Sequence, residues 1–269
     1  AIFMGSTNGA GRWIKLGGFS FQPVEMARFG LVLLVARIVA DAGNKIGGFR
    51  TGFVAAMAPV LALAVVLILQ PDNGNAIFCV ALATAMALAA GVRMRWFMLA
   101  GLPVALLLLW RIGTQGHVQS RLGNWPDVQV GTHVAQGMTA ISAGGAVGRG
   151  VGNGWMKMGF VSEARNDFVF AMVGEELGFA GSATVVLLFA LIGWVGYRLT
   201  VATRDPFLRM TILGFVLVLC LQAAINMLVA TGLAPAKGID LPFVSSGGTS
   251  LMTCFAAVGV IGNAARTDR

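Results

Sequence analysis

Long apolar runs alternate with short polar connections along the whole chain. A membrane-spanning helix needs about 20 mostly apolar residues, and seven stretches approach that template: 24–42, 53–69, 75–91, 97–110, 168–199, 211–230 and 250–265. The fifth is long enough to tilt or to extend beyond the bilayer. The pattern predicts an all-α, polytopic transmembrane helix bundle with about seven spans, forming a single membrane domain over residues 1–269.

Basic residues occupy every second connection between these runs. They are Lys45 and Arg50, then Arg93 and Arg95, then Arg198, Arg204 and Arg209, and finally Arg266 and Arg269. Lys and Arg in short loops stay on the cytoplasmic side, so the C-terminus is expected in the cytoplasm. With an odd number of spans, Ala1 then lies outside. Because no signal peptide precedes it, we expect an odd number of upstream helices to be missing.

Three connections are then extracytoplasmic: residues 1–25, 111–167 and 231–249. The middle one has more than fifty residues, and loops of that length are usually functional or disordered. It also carries basic residues that the orientation rule does not explain, namely Arg111, Arg121, Arg149, Lys157 and Arg165. We therefore expect this large extracytoplasmic loop to bind something anionic.

Composition supports the membrane assignment. Hydrophobic residues make up 57% of the chain, charged residues only 11%, and the mean hydropathy is +0.81, which excludes an ordinary soluble domain. The formal charge of +8 follows from basic helix ends. No basic stretch alternates with stacking aromatics, so nucleic-acid binding is not expected. Cys79, Cys220 and Cys254 lie in apolar runs without metal-type spacing, which predicts packing residues instead of a disulfide or zinc site.

Five acidic residues near or within the predicted spans are candidates for chemistry. Asp167 opens the fifth run, either as a helix cap or as a partly desolvated carboxylate suited to general-base catalysis. Glu163 is either its partner or solvated. Glu175 and Glu176 are functional candidates because carboxylates in membranes are costly, but a structural role between helices is favoured. Asp72 follows a proline in a turn signature.

Two further features have both a structural and a functional interpretation. The glycines between Gly144 and Gly154 form either a flexible connection or a backbone nest for phosphate. Trp13 and Trp125 fit the interfacial aromatic belt, and an aromatic face beside a carboxylate also suits stacking on a sugar.

Five sequence blocks, in order and with matching spacing, closely resemble the SEDS family (shape, elongation, division and sporulation) of polytopic peptidoglycan glycosyltransferases. The blocks are Asn-Gly-Ala-Gly-Arg-Trp-Ile at 8–14 with Gln-Pro-Val-Glu at 22–25; Gln-Pro-Asp at 70–72; residues 136–150; Glu-Ala-Arg-Asn-Asp-Phe-Val-Phe at 163–170 with Gly-Glu-Glu-Leu-Gly at 174–178; and Lys-Gly at 237–238 with Leu-Pro-Phe-Val-Ser at 241–245 and Gly-Gly at 247–248. The chain departs from the family pattern at Asn73, Asn75, Val161, Ser162 and Ser246. None of these changes removes an acidic or basic side chain.

The resemblance implies a ten-helix family fold, of which this chain would begin after the third helix. It also implies that the protein polymerises lipid II into glycan strands at the outer face of the bacterial cytoplasmic (inner) membrane during cell division or elongation. A class B penicillin-binding protein transpeptidase is the implied partner. The Lys237–Gly238 pair points towards the division-type branch.

On this interpretation Asp167 is the catalytic base. Arg12, Arg149, Lys157 and Lys237 are expected to contact the departing diphosphate, and the other substrate-binding candidates are Trp13, Glu163 and Ser245. Stabilising the leaving diphosphate requires cationic groups or a metal, so a divalent cation, Mg or Mn, remains open.

Two alternatives belong to other functional classes. A flippase for the lipid-linked precursor would place polar residues along a path between helices, whereas here they collect at one surface and no inverted repeat is detectable. A non-catalytic scaffold for a transpeptidase would tolerate neutral substitutions of Asp167, which a catalytic base would not.

Overall fold

The computed structural model describes residues 14–16, 19–102, 133–154, 168–234 and 238–267. Within them the chain is a helical bundle, as predicted, with one short antiparallel hairpin that was not predicted. The hairpin strands are β1 Ile14–Leu16 and β2 Phe19–Phe21. The helices are α1 Pro23–Ala42, α2 Ala55–Leu69, α3 Asn73–Ala89, α4 94–102, α5 His133–Gly144, α6 Val169–Ala202, α7 Pro206–Ala230 and α8 Gly248–Thr267.

Four helical segments of the described chain are long and apolar enough to cross a membrane: Phe49–Leu69, Val169–Ala202, Pro206–Ala230 and Gly248–Thr267. The first is longer than predicted because a π-helical turn, Phe49–Val54, precedes α2. In this turn Gly52 lies directly against the carbonyl of Ile46, where a Cβ would collide. The chain is therefore a multi-pass membrane protein, and α3 is a shorter apolar helix within it.

Helix starts follow local capping rules. Pro23 and Pro206 occupy the beginnings of α1 and α7, where a missing N–H costs nothing. The Asp205 carboxylate caps α7 by accepting a hydrogen bond of 2.8 Å from the Leu208 amide. Asp72 caps α3 and accepts from the Asn75 amide at 3.4 Å. The predicted turn at Asp72 is thus confirmed and also starts a helix.

Helix α7 is the centre of the bundle. Half of the residues in the most apolar 18-residue stretch of α7 are buried, compared with 11% in the corresponding stretch of α6. Most side chains in that stretch of α6 face outwards. Gly214 of α7 lies against Val32 of α1 and Met86 of α3, where a Cβ would collide. Because the glycine has no side chain, α1 and α3 both approach α7 closely. The main buried cluster follows from this approach and includes Val35, Leu82 and Phe215.

The helix connections gather at two opposite ends. At one, which we call the outer end, the start of α1, the α2–α3 turn, the start of α6, the end of α7 and the start of α8 lie together. There the Gln22 amide donates to Thr249 Oγ1 at 3.4 Å, and Phe168, Ala230 and Leu241 share a buried cluster. The opposite end carries the basic connections, consistent with the predicted alternation.

Helix α6 is not one continuous helix. Gly178 has a φ of 66° and a ψ of −159°, a combination essentially restricted to glycine. The break divides α6 into 169–177 and 179–202. The hydropathy pattern predicted one uninterrupted run here, because mostly apolar residues lie on both sides of Gly178.

Candidate functional site

A buried ion pair lies near the outer end of α1. Arg28 Nη1 donates to Glu25 Oε1 at 2.9 Å, and the side chains of the two residues are 2% and 6% exposed. Three residues apart on a helix, they share one face. A buried charge is strongly destabilising without a partner, so each residue requires the other.

The same arginine joins α1 to α3. Its Nη2 donates to Asn75 Oδ1, and its guanidinium lies 4.4 Å from the centre of the Phe78 ring. Asn75 Nδ2 in turn donates to Asp72 Oδ2 at 2.6 Å. Asn75 therefore links the helix cap to the ion pair. This network was not predicted, because no local sequence pattern connects Arg28 with both Glu25 and Asn75.

The glutamate of the pair extends the network to α8. Thr253 Oγ1 donates to Glu25 Oε2 at 3.4 Å. Thr249, one turn earlier, is reached by the Gln22 amide. The start of α1 is thus bound to the start of α8 by two polar contacts, which bring the segment before α1 close to the connection between α7 and α8.

A small cavity lies beside this network, between α1, α7 and α8. It has a volume of about 10 Å³, which is about the space that one water molecule needs. Its lining includes Glu25, Arg28, Gln222 and Thr253. Arg28 Nε and Gln222 Nε2 have no hydrogen-bond partner within the described part of the chain. The cavity suits a single water bridging these groups.

The described part of the predicted large loop is mostly structured. Helix α5 lies alongside the first half of α6 and runs in the same direction: Gly137 packs against Phe168 and Ala171, and Ile141 against Gly174. Because α6 is a candidate span, this segment re-enters the bundle beside it. Re-entrant backbone at membrane depth requires hydrogen-bond partners from the protein.

The loop that follows α5 supplies those partners and bridges the break in α6. The amides of Arg149 and Gly150 donate to the carbonyls of Glu175 and Glu176, each at 3.0 Å. On the other side of the break, the Phe179 and Ala180 amides donate to the Gly145 and Ala146 carbonyls, at 2.9 and 3.3 Å. The four bonds satisfy backbone groups that the break exposes.

Glycine is required at this contact. A Cβ at Gly144 would collide with the backbone of Gly174, and one at Gly148 with the carbonyl of Glu176. Gly148 also has a φ of 87°, which favours glycine. The glycine-rich segment is thus a close backbone contact, and its role as a phosphate nest stays a prediction.

An ion pair crosses the same contact. Arg149 Nη1 lies 3.8 Å from Glu175 Oε1, and the side chains are 38% and 3% exposed. Arg149 Nε also donates to the Ala143 carbonyl at 3.3 Å. This pair joins Glu175 to a loop, and the structural role between helices that was favoured for Glu175 stays a prediction. Its partner is a loop residue that was itself a candidate for binding the diphosphate.

The connection between α7 and α8 completes the outer end. Asn226 Nδ2 donates to the Ile239 carbonyl at 2.9 Å, which holds this loop to α7. Ser245 is buried, and its Oγ accepts from the Leu241 amide at 2.8 Å. Phe243, between them, has a φ of 65°. Ser245 thus shapes a tight turn, and its contact with substrate stays a prediction.

Most of the candidate residues lie outside the described ranges. Arg149 and Ser245 are described; Arg12, Trp13, Lys157, Glu163, Asp167 and Lys237 are not. Phe168, which directly follows Asp167, is buried at the outer end. Among the described residues, no group of three or more His, Cys, Asp or Glu side chains could hold a metal ion.

These observations define a class: a polytopic helical membrane protein whose buried charged groups, among the described residues, lie towards one end of the bundle. The family model of FtsW, RodA and SpoVE, described as cell cycle proteins, matches residues 1–269. The chain belongs to this family, and the resemblance inferred from the motifs is confirmed.

Its relatives include named proteins. It is 36% identical, over 264 residues, to the probable peptidoglycan glycosyltransferase FtsW of Geobacter metallireducens; the match covers 96% of this chain and 70% of that protein. It is 34% identical to the stage V sporulation protein E of Bacillus subtilis, covering 97% of this chain and 73% of that protein.

Solved structures agree with the fold. A chain from a peptidoglycan synthase complex that coordinates polymerization and crosslinking matches with a TM-score of 0.83 and 26% identity, covering 99% of this chain and 76% of that one. The rod shape determining protein RodA of Thermus thermophilus matches with a TM-score of 0.69 and 24% identity, covering 99% and 73%, and this second likeness concerns the fold alone.

Proposed function

We propose that this protein polymerises lipid II, the undecaprenyl-diphosphate-linked disaccharide peptide, into glycan strands. That it is a peptidoglycan glycosyltransferase, and so an enzyme of cell-wall synthesis, follows from its family and from the named relatives. The finer proposal concerns its substrate, its site and its membrane.

The observation that carries the proposal is the convergence of three outward connections at the outer end. The segment before α1 reaches α8 through Gln22 and Thr249. Phe168, at the start of α6, packs in one cluster with Leu241 of the last connection. Polymerisation needs a base, cations and a lipid-accessible surface close together, and these three connections carry every candidate for those roles.

The proposed chemistry divides between two groups. The Asp167 carboxylate takes the proton from the attacking 4-hydroxyl of one disaccharide as a new glycosidic bond forms and the bond to the diphosphate breaks. Arg149, together with Arg12, Lys157 and Lys237, contacts the leaving undecaprenyl diphosphate, because a desolvated diphosphate needs charge-assisted hydrogen bonds. Trp13, Glu163 and Ser245 are proposed to contact the sugars or peptide.

The proposal also covers the position of the protein in the membrane and its partner. Residues 1–269 form a single membrane domain with the loop 111–167 on the extracytoplasmic face of the bacterial inner membrane. The partner is a class B penicillin-binding protein transpeptidase. Support for a partner comes from the synthase complex whose chain this protein resembles.

The decisive test is Asp167→Asn in the full-length parent protein, assayed for polymerisation of purified lipid II. Asparagine keeps the size of the side chain but cannot accept the proton, and a positioned base contributes roughly a hundredfold to ten-thousandfold in rate. We expect a loss of that size with normal membrane insertion.

The matched control is Asp41→Asn, the same chemical change at an exposed residue that pairs with Arg37 at 2.9 Å. It should polymerise at the wild-type rate. Near wild-type polymerisation by Asp167→Asn would reject this base and make Glu163 the next candidate. A parent protein that does not polymerise lipid II would favour the alternative that the protein is a non-catalytic scaffold for a transpeptidase.

A further inference from the structure

The re-entrant loop carries its cation well below the outer end of the bundle. Gly178, where the loop meets α6, is nine residues after Val169, which at a rise of 1.5 Å per residue is roughly 14 Å along the helix. Arg149 is bound one turn before this break. A charge at membrane depth is costly and marks a functional site by default.

The residues around this arginine suit a surface that faces lipid. Val147 is 84% exposed and Val151 is 76% exposed, although both are apolar. Contact of these apolar side chains with lipid carries no free-energy penalty, unlike their contact with water. In the sequence, Arg149 is thus flanked two residues away on each side by an exposed apolar residue, and this pattern matches the junction between the phosphates and the hydrocarbon chain of a lipid-linked substrate.

Glu175 holds that arginine in three ways. Its carbonyl accepts from the Arg149 amide at 3.0 Å, its carboxylate pairs with the guanidinium at 3.8 Å, and its buried position fixes the carboxylate beneath the loop. Gly154 passes so close that a Cβ there would lie 3.0 Å from Glu175 Oε2. The carboxylate thus has a fixed place, while over a third of the arginine side chain stays exposed.

We propose that Glu175 is a positioning residue, which holds the Arg149 guanidinium at the lipid-facing surface so that it binds the diphosphate of the lipid-linked donor. This inference rests on the proposed function. Glu175 itself does not touch the substrate. Its negative charge orients the guanidinium, and its backbone carbonyl fixes the position of the loop along α6.

The test measures kcat and KM for lipid II with the full-length parent, Glu175→Gln, Arg149→Gln and the double variant. Hydrogen bonds to charged groups contribute enough to change binding by about tenfold or more. We expect each single change to raise KM by about tenfold, and the double variant to be no worse than either, because the two residues act as a unit. Arg149→Lys, which keeps the charge, should recover part of the loss.

A second measurement separates positioning from folding. In a background with every native cysteine changed to alanine, Ala146→Cys and Ala180→Cys replace residues whose backbones are hydrogen-bonded across the contact. An oxidant should cross-link them in membranes, in the parent and in Glu175→Gln alike. The exposed pair provides the charge control, since Asp41→Asn should leave KM unchanged.

The outcomes are distinct. A raised KM with cross-linking retained supports the proposal. An unchanged KM in Glu175→Gln overturns it, and so does a raised KM with cross-linking lost, because the glutamate would then only hold the loop in place. A parent protein that fails to polymerise lipid II would instead reject the proposed function, and this inference would fall with it.

Discussion

The two ion pairs beneath the outer end differ in how they are enclosed. In the first, Glu25 and Arg28 are 2.9 Å apart with neither side chain more than 6% exposed. In the second, Glu175 and Arg149 are 3.8 Å apart, and the arginine is 38% exposed. The first pair lies between packed helices, and the second joins a helix to a loop.

This difference separates two tasks. Arg28 contacts Glu25, Asn75 and the Phe78 ring at once, so its charge is committed to holding α1 against α3. Arg149 is paired with a buried carboxylate, and its own side chain is 38% exposed. The first charge stabilises the bundle, whereas the second is the one that we propose contacts a ligand.

The largest effect on stability is expected from Arg28→Met. The change leaves Glu25 buried without its cation, and breaking a buried pair from one side costs about 3–5 kcal/mol. The melting temperature of the detergent-purified protein should fall sharply, or folded protein should be lost. Adding Glu25→Gln should recover part of the loss, because no unpaired charge then remains. A single variant as stable as the parent would contradict the division of tasks.

A smaller loss is expected from Gly178→Ala, which tests the break in α6. The backbone angles of Gly178 are strained for any other residue by about 1–3 kcal/mol, and its new Cβ would meet the backbone of Ala146 and Gly148. Unfolding should therefore begin at a lower temperature. Gly259→Ala is the matched control, because a Cβ there has no neighbour within 4 Å. Equal melting temperatures for the two variants would mean that the break is not needed.

The smallest stability effect is expected from Arg149→Gln. The arginine is partly exposed and lies 3.8 Å from Glu175, so its removal should lower the free energy of unfolding by less than about 1 kcal/mol. We nevertheless expect KM to rise. Thermal unfolding measured beside the lipid II assay checks both. A loss of stability as large as that of Arg28→Met would place both pairs in the same structural class.

The candidate site was only partly predictable. The positive-inside rule does not explain a basic residue at position 149, and this feature is visible in the local sequence alone. The partner of Arg149 was not predicted, since Glu175 is 26 positions away in the chain and only the packing of α5 and its following loop against α6 brings the two together. Arg28 was not considered because a single cation near a predicted helix start resembles an ordinary interfacial residue.

The sequence by itself determined that this protein is a bundle of membrane-spanning helices, which connections carry the basic residues, and the family to which it belongs. Hydropathy, loop charge and motif order are properties of neighbouring residues, so they can be read without a fold. Only the tertiary structure decided that α5 re-enters the bundle, that α6 breaks at Gly178, and that Arg28 bonds to a residue 47 positions away. Such features depend on close backbone approach and on which buried charges meet, and neither leaves a periodic signal in the sequence.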